Sequence, residues 1–428
     1  MEKIVSGQSY LYSKDGFTSE IIGITLKDKV RGSCLSQALL ETFGRYPYMK
    51  SKMVEKNGCF YLEKNPNSMP ATPTAKLRSL GSMATGYHLL DVTFTGQKIR
   101  VAFHHGLCDG RGVKPFVETL LYYYCKLRYD NNLSSEGIRL NGEPLLEGET
   151  AEPIGKTPFE VDSTKVPELS HEGFHLPEAD GEIARFLRTK IRIDQTDFLA
   201  AAKAIGATPA IFLSILASQS IAQVHPEADK PIQCSMATDL RDAAGFPNTH
   251  KNLVGSCYLP YTREGAALPQ AELAARYRQL LKVQRSPDAA KDNLNMQIGL
   301  FAKLDELKTL EEKQRMMVFF DDMSLDTYVI SYLGQMHTAA CDKYIESMHL
   351  YTSGSRGLTF NMLAGGGSIN IDVIQSFEST AYVDAFLQDL ADAGLDCHVT
   401  KCFPFETAQD RSHITSRHQA ERYFAKTE

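Results

Sequence analysis

Between Gln97 and Tyr124 the sequence changes its hydrophobic period, and two histidines, an aspartate and a glycine sit at the change. Gln97-Lys98-Ile99-Arg100-Val101-Ala102-Phe103 is short, part alternating and part apolar, which reads as a strand. Val113, Phe116, Leu120, Leu121 and Tyr124 then recur at helical spacing. His104-His105-Gly106-Leu107-Cys108-Asp109-Gly110 lies between them. A strand that ends in a loop and turns into a helix is a favoured place for chemistry in an α/β protein. The rigid elements fix the side chains while the loop exposes them.

Successive side chains of a strand point to opposite faces. If both histidines are extended, one looks into a cleft and the other into the packing behind it, so the pair is poorly built to hold one metal. A single neutral imidazole is a good general base near pH 7. Asp109 stands at the turn, where a carboxylate orients the imidazole or pins the loop through an arginine. Gly110, with Gly112, permits backbone to approach backbone and a tight entry into the helix. Taken one at a time these are ordinary loop polars. Together, at average residue usage, they would arise by chance in on the order of one chain in a thousand of this length.

The 428 residues suggest two or three domains, or one large pair sharing a cleft. With 43 % hydrophobic residues a substantial core is possible, and 23 % charged residues without a long like-charge run argue against disorder. A net charge of −6 gives no electrostatic reason to expect nucleic acid. Met1 to Ser6 lacks the apolar run of a signal peptide, and no stretch approaches the length of a membrane span. Nine cysteines, an odd number without CxxC spacing, fit a reduced cytoplasmic protein better than a disulfide framework or zinc site.

Ile21 to Leu26 reads as a first strand, and Ser33 as the N-cap of a helix carrying Leu35, Ala38, Leu39 and Phe43. Asn57-Gly58 lies between two β-prone runs, a hairpin signal. Tyr87–Phe94 and Lys98–Phe103 form a further strand pair, and the helix after the motif runs to about Tyr129. From Asp130 to about Asp180, five prolines among acidic and small residues mark a connecting segment with little core. Then follow a strand at 188–193, a helix capped by Asp194 or Thr196, and a helix opened by Thr208-Pro209. Strands are expected at 232–237, 256–259, 328–334 and 396–402, and helices at 270–283, 297–307 and 380–393. Ala364-Gly365-Gly366-Gly367-Ser368 has β-like runs on both sides and no phosphate-loop lysine, so it reads as a hairpin tip. Cys397 and Cys402 read as two positions on a strand. No internal repeat of fixed period is present.

His-His-x-x-x-Asp-Gly resembles the signature of the CoA-dependent acyltransferase superfamily, which includes chloramphenicol-acetyltransferase-like enzymes, condensation domains, polyketide-associated acyltransferases and alcohol acetyltransferases. Three further stretches are similar to the superfamily in the right order. They are the early helix ending in Arg45-Tyr46-Pro47, Asp239-Leu240-Arg241 with Asn252-Leu253-Val254-Gly255, and Ser331-Tyr332-Leu333-Gly334. The resemblance runs from about residue 20 to 402. It implies an α/β fold of two chloramphenicol-acetyltransferase-like domains side by side, divided here as 1–178 and 179–428, with the active site in a tunnel between them.

The resemblance also implies roles. His105 becomes the general base, His104 its buried structural partner, and Asp109 a structural acid whose arginine partner is Arg241; Gly110 completes the motif. Tyr332 stands where the family has an asparagine that helps line the acceptor side. With Ser331, whose hydroxyl reads first as structural, it is a candidate tunnel-lining residue. The expected reaction moves an acyl group from acyl-CoA, or from an acyl-phosphopantetheinyl carrier protein, to a hydroxyl or amine on a small-molecule acceptor, with no metal. Cys108 reads as a loop residue rather than a nucleophile, and no GxSxG elbow is present. Two alternatives stand beside this reading. One is a stand-alone condensation enzyme that forms an amide from a carrier-bound acyl group; the other is a non-catalytic relative that keeps only the fold.

Overall fold

The chain enters its first layer through β1 (Glu2–Lys3) and α1 (Gln8–Leu11), then forms β2 (Ser19–Leu26) and α2 (Gly32–Arg45). The computed structural model describes residues 1–12, 19–168, 172–180, 186–322, 326–338, 340–354 and 357–404. α2 buries Leu35, Ala38, Leu39 and Phe43, the spacing of one helical face. Its N-cap is Arg31 and not Ser33. The helix starts earlier than the sequence suggested, at Gly32, which packs on the Phe94 ring so closely that a Cβ would lie 2.6 Å from Cζ.

β3 (Ser51–Lys56) and β4 (Cys59–Lys64) follow as the expected hairpin. Asn57 and Gly58, with φ of 54° and 71°, supply the two left-handed residues that its tight turn requires. β5 (Thr72–Pro73), β6 (Leu90–Thr95) and β7 (Lys98–His104) lead into α3 (Gly110–Arg128). β6 begins later than expected because Tyr87, at φ 67°, is still turning.

The second part opens with β8 (Leu187–Asp194), α4 (Gln195–Ala204) and α5 (Pro209–Val224). Asp194 caps α4 by accepting from the N–H groups of Thr196 and Asp197, and Thr208 caps α5. β9 (Ile232–Asp239), α6 (Arg241–Ala244), β10 (Val254–Tyr261), α7 (Arg263–Ala266) and α8 (Gln270–Gln284) come next. α9 (Pro287–Glu306) begins well before the expected residue 297, because Ser286 caps it and Pro287 takes the first helical position. α10 (Leu310–Asp322) was not foreseen. β11 (Tyr328–Gln335), β12 (Ile345–Thr352), β13 (Leu358–Gly365), β14 (Ser368–Gln375), α11 (Ala381–Asp392) and β15 (Cys397–Pro404) complete the order. β13 and β14 are joined at the glycines, with Gly366 and Gly367 at positive φ, so the hairpin-tip reading holds.

Three sheets result. The short one has the order β1-β4-β3, a five-stranded one β12-β2-β7-β6-β5, and a seven-stranded one β10-β9-β11-β13-β14-β8-β15. The seven-stranded sheet is drawn wholly from beyond residue 186. The five-stranded sheet is not confined to the first part, because segment 345–352 crosses over and pairs antiparallel with β2. Two apolar cores follow, one around α2, α3 and the five-stranded sheet, the other around α5, α11 and the seven-stranded sheet.

The connecting segment has only two short 3-10 turns among its described residues. It is more firmly seated than its composition suggested. Glu149 is 2 % exposed and bidentate on Arg45 at 2.8 Å, Glu152 accepts from the Ser6 backbone and hydroxyl, and Ile154 joins the first core.

Candidate active site

Strand register brings the first site residues together. In the antiparallel pair β2·β7, Ser19 stands opposite His104 and Glu20 opposite Phe103. Directly opposed residues share a face, and so do residues two apart on one strand. Phe103 therefore shares a face with Glu20, Thr352 of β12, opposite Glu20 on its other side, joins the row, and His105 follows in the turn with its ring against Glu20.

This face borders a cavity of about 950 Å³. His105, Glu20, Tyr10, Ser331, Tyr332 and Asn361 are among its lining residues, so α1, the five-stranded sheet and the seven-stranded sheet all contribute walls. His104 is fully buried, and its Nδ1 accepts from the Gly106 N–H at 2.8 Å, bracing the turn. The two histidines separate, one to the packing and one to the cavity, but β7 ends at His104 and His105 already lies in the turn, so strand alternation is not what parts them. No group of three or more potential metal ligands is gathered among the described residues.

His105 is not a free imidazole. Its Nε2 lies 3.0 Å from Oε1 of Glu20, and the Asn252 amide Nδ2 donates to Nδ1 at 3.4 Å. These partners place the ring proton on Nε2. Tyr10 stacks on the ring with centroids 4.1 Å apart. Gly7, at φ 81°, presses against the same residue from behind, where a Cβ would lie 2.3 Å from the His105 carbonyl oxygen. Neither Glu20 nor Tyr10 was singled out from sequence. Glu20 reaches the ring only through strand pairing, and Tyr10 through a four-residue helix with no periodic signal.

Asp109 settles the choice that the sequence left open, because it pins the loop and leaves the imidazole to others. One oxygen accepts from Arg241 Nη2 at 2.7 Å and from the Gly112 N–H at 2.8 Å as N-cap of α3; the other accepts from the Leu253 N–H at 2.9 Å. Arg241 also donates to Asp239 and to the carbonyls of Thr249 and Lys251. Burial opposes the charge of Arg241, but Asp109 and Asp239 outweigh it and hold the guanidinium more basic than usual. The close backbone approach belongs to Gly112, where a Cβ would meet the His250 carbonyl oxygen at 2.0 Å. Gly110 abuts the Leu333 side chain instead. Cys108 is fully buried, and that burial pushes its thiol well above its ordinary range, which removes it as a nucleophile.

No protein-family model matches the chain, and no curated protein matches it. Solved structures do. Polyketide synthase associated protein 5 from Mycobacterium tuberculosis superposes with a TM-score of 0.58 at 13 % identity, over 90 % of this chain and 96 % of that one. The first condensation domain of the CDA synthetase gives 0.59 at 14 %, over 92 % and 95 %. TRI101 of F. sporotrichioides, solved with coenzyme A and T-2, gives 0.57 at 14 %, over 92 % and 99 %. The chain has the fold that these three proteins share. Within that fold the cavity lies between the two large sheets, with the His-His-x-x-x-Asp-Gly stretch at its edge.

Proposed function

We propose that this protein is an acyltransferase that moves an acyl group from a CoA thioester to a hydroxyl or amine acceptor, with His105 at the centre of proton uptake. The observation that carries the reading is the ring of His105 in the wall of the cavity, backed by Glu20. The acceptor's oxygen or nitrogen attacks the thioester carbonyl, a C–O or C–N bond forms, and the C–S bond breaks as the thiolate leaves. The proton released by the acceptor is taken up by the hydrogen-bonded His105–Glu20 pair as a unit. The departing thiolate needs little acid assistance. The hydroxyl of Ser331, in the wall of the same cavity, is the donor we assign to the tetrahedral oxyanion; Tyr332, next on β11, faces the other way.

Asp109, Gly110 and Arg241 enter this scheme as the frame of the loop, and His104 as its brace. Nine cysteines, an odd number without CxxC spacing, favour a reducing, cytoplasmic setting. No single helix among the described residues is long and apolar enough to cross a membrane.

The condensation-domain likeness favours a second reading, in which the thioester arrives on a phosphopantetheinyl carrier protein and the product is an amide. A mass-spectrometric screen of acyl-CoAs and acyl-carrier proteins against hydroxyl and amine acceptors separates the two. Thiol release from acyl-CoA with an ester product supports the first reading. Release from the carrier alone supports the second, and release from neither overturns both.

A further inference from the structure

Three buried side-chain polar atoms in residues lining this cavity find no hydrogen-bond partner among the described residues: Nδ2 and Oδ1 of Asn361, and Oγ1 of Thr352. Asn361 lies on β13 of the seven-stranded sheet and is 0 % exposed. Thr352 ends β12, at the edge of the five-stranded sheet. The two residues thus belong to two walls of one cavity, with these polar atoms tucked behind its surface. Asp372, opposite Asn361 across β13·β14, is already committed to Arg188 at 2.7 Å and His349 at 2.7 Å. A buried amide without partners is unfavourable, and a leucine of similar volume would pack there without that cost. An asparagine at this point is therefore explained by something that enters the cavity.

We infer that Asn361 and Thr352 form a recognition subsite for a secondary amide carried by the ligand. The N–H and C=O of a trans amide point in opposite directions, so one group can meet both walls. Asn361 donates through Nδ2 or accepts through Oδ1, and the Thr352 hydroxyl does either. The surroundings favour an uncharged group. Val329, Leu333, Leu350 and Leu358 are apolar, and the charged lining groups are largely paired, Asp239 with Arg111 and Arg241 and Glu20 with His105. The inference rests on the transferase reading for its choice of ligands. Such an amide has two sources, the pantetheine arm of the donor or the acceptor itself.

The test uses Asn361→Leu and, as a milder variant, Thr352→Val. Thiol release is followed with S-acetylpantetheine and with S-ethyl thioacetate, which has no amide. N-acetylethanolamine and 1-butanol serve as the acceptor pair. A donor amide at the subsite raises KM for S-acetylpantetheine roughly three- to tenfold, leaves kcat nearly unchanged and spares S-ethyl thioacetate. An acceptor amide gives the same split between N-acetylethanolamine and 1-butanol. In either case Asn361→Leu melts no lower than the wild type. Equal effects on amide-bearing and amide-free partners, or a lower melting temperature with unchanged KM, overturn the subsite. Should Asn361→Leu fail to fold, Thr352→Val decides by the same comparison. Should the wild type release no thiol at all, the transferase reading falls separately. The subsite is then judged by the melting shift that pantetheine or N-acetylethanolamine gives: a shift lost in the variants supports it, and no shift in the wild type overturns it.

Discussion

Arg241 directs its guanidinium at two carboxylates and two carbonyls at once, all within 2.7 to 2.8 Å, from a position 3 % exposed. Removing it leaves Asp109 buried and short of its cation. Arg241→Ala is expected to cost about 3–5 kcal/mol of stability in urea unfolding. Arg241→Lys is not expected to restore it, because an ammonium cannot span the same four acceptors. A loss under about 1 kcal/mol would show that the pair does not frame the loop. At this scale the motif was legible in sequence and its support was not. His104, His105 and Asp109 stand out by type and spacing, and Arg241 enters only through the family resemblance. Glu20 meets His105 only through the β2·β7 register, and a lone glutamate before an apolar run carries no sign of that contact. Asn361 was hidden for a similar reason, as one polar residue inside a β-like run.

The turn from β7 into α3 depends on a close approach to the segment before β10. A Cβ at position 112 would lie 2.0 Å from the His250 carbonyl oxygen, and backbone on both sides leaves little room to yield. Gly112→Ala is therefore expected to destabilise by about 3 kcal/mol or more. Gly299 offers the contrast, since it lies inside α9 with nothing within 4 Å of the place an alanine Cβ would take. Gly299→Ala is expected to stabilise by about 0.5–1 kcal/mol, as alanine loses less freedom in a helix. Melting both variants beside the wild type checks the pair, and equal effects would contradict it. Elements with caps and strong periodicity, such as α3, α5 and α11, could be read directly. α10 could not, and α9 was foreseen only in its last half, because its first turns are polar. The pairing of β12 with β2 in the other sheet has no sign in the sequence, since pairing is a tertiary choice.

Across the molecule, residues from both parts meet around one cavity, and the connecting segment ties them. His250 stands at that junction. Its Nδ1 donates to the Glu149 carbonyl oxygen at 2.8 Å, and its ring packs 4.3 Å from that of Tyr48. Burial, and then the charge of Lys251, push His250 down to about 3. An unfolded histidine titrates near 6.5, so between these values the unfolded chain binds a proton that the folded chain refuses. This contribution is complete above about pH 6.5 and is lost as the pH falls towards 3. Denaturation midpoints should drop over that window, and His250→Gln, which keeps a donor for Glu149, should flatten the slope. An identical slope in the variant would place the acid sensitivity elsewhere.

Whether the cavity does chemistry turns on the ring at position 105. The decisive measurement is the rate of acyl transfer to whichever acceptor the screen identifies, compared between wild type and His105→Ala, with folding checked by melting temperature and Glu20→Gln run alongside. The expected result is a fall of roughly 10²- to 10⁴-fold in His105→Ala, a smaller fall in Glu20→Gln, and unchanged melting. A folded His105→Ala protein that turns over at the wild-type rate would mean that the imidazole takes no proton, and the transferase mechanism would have to be abandoned.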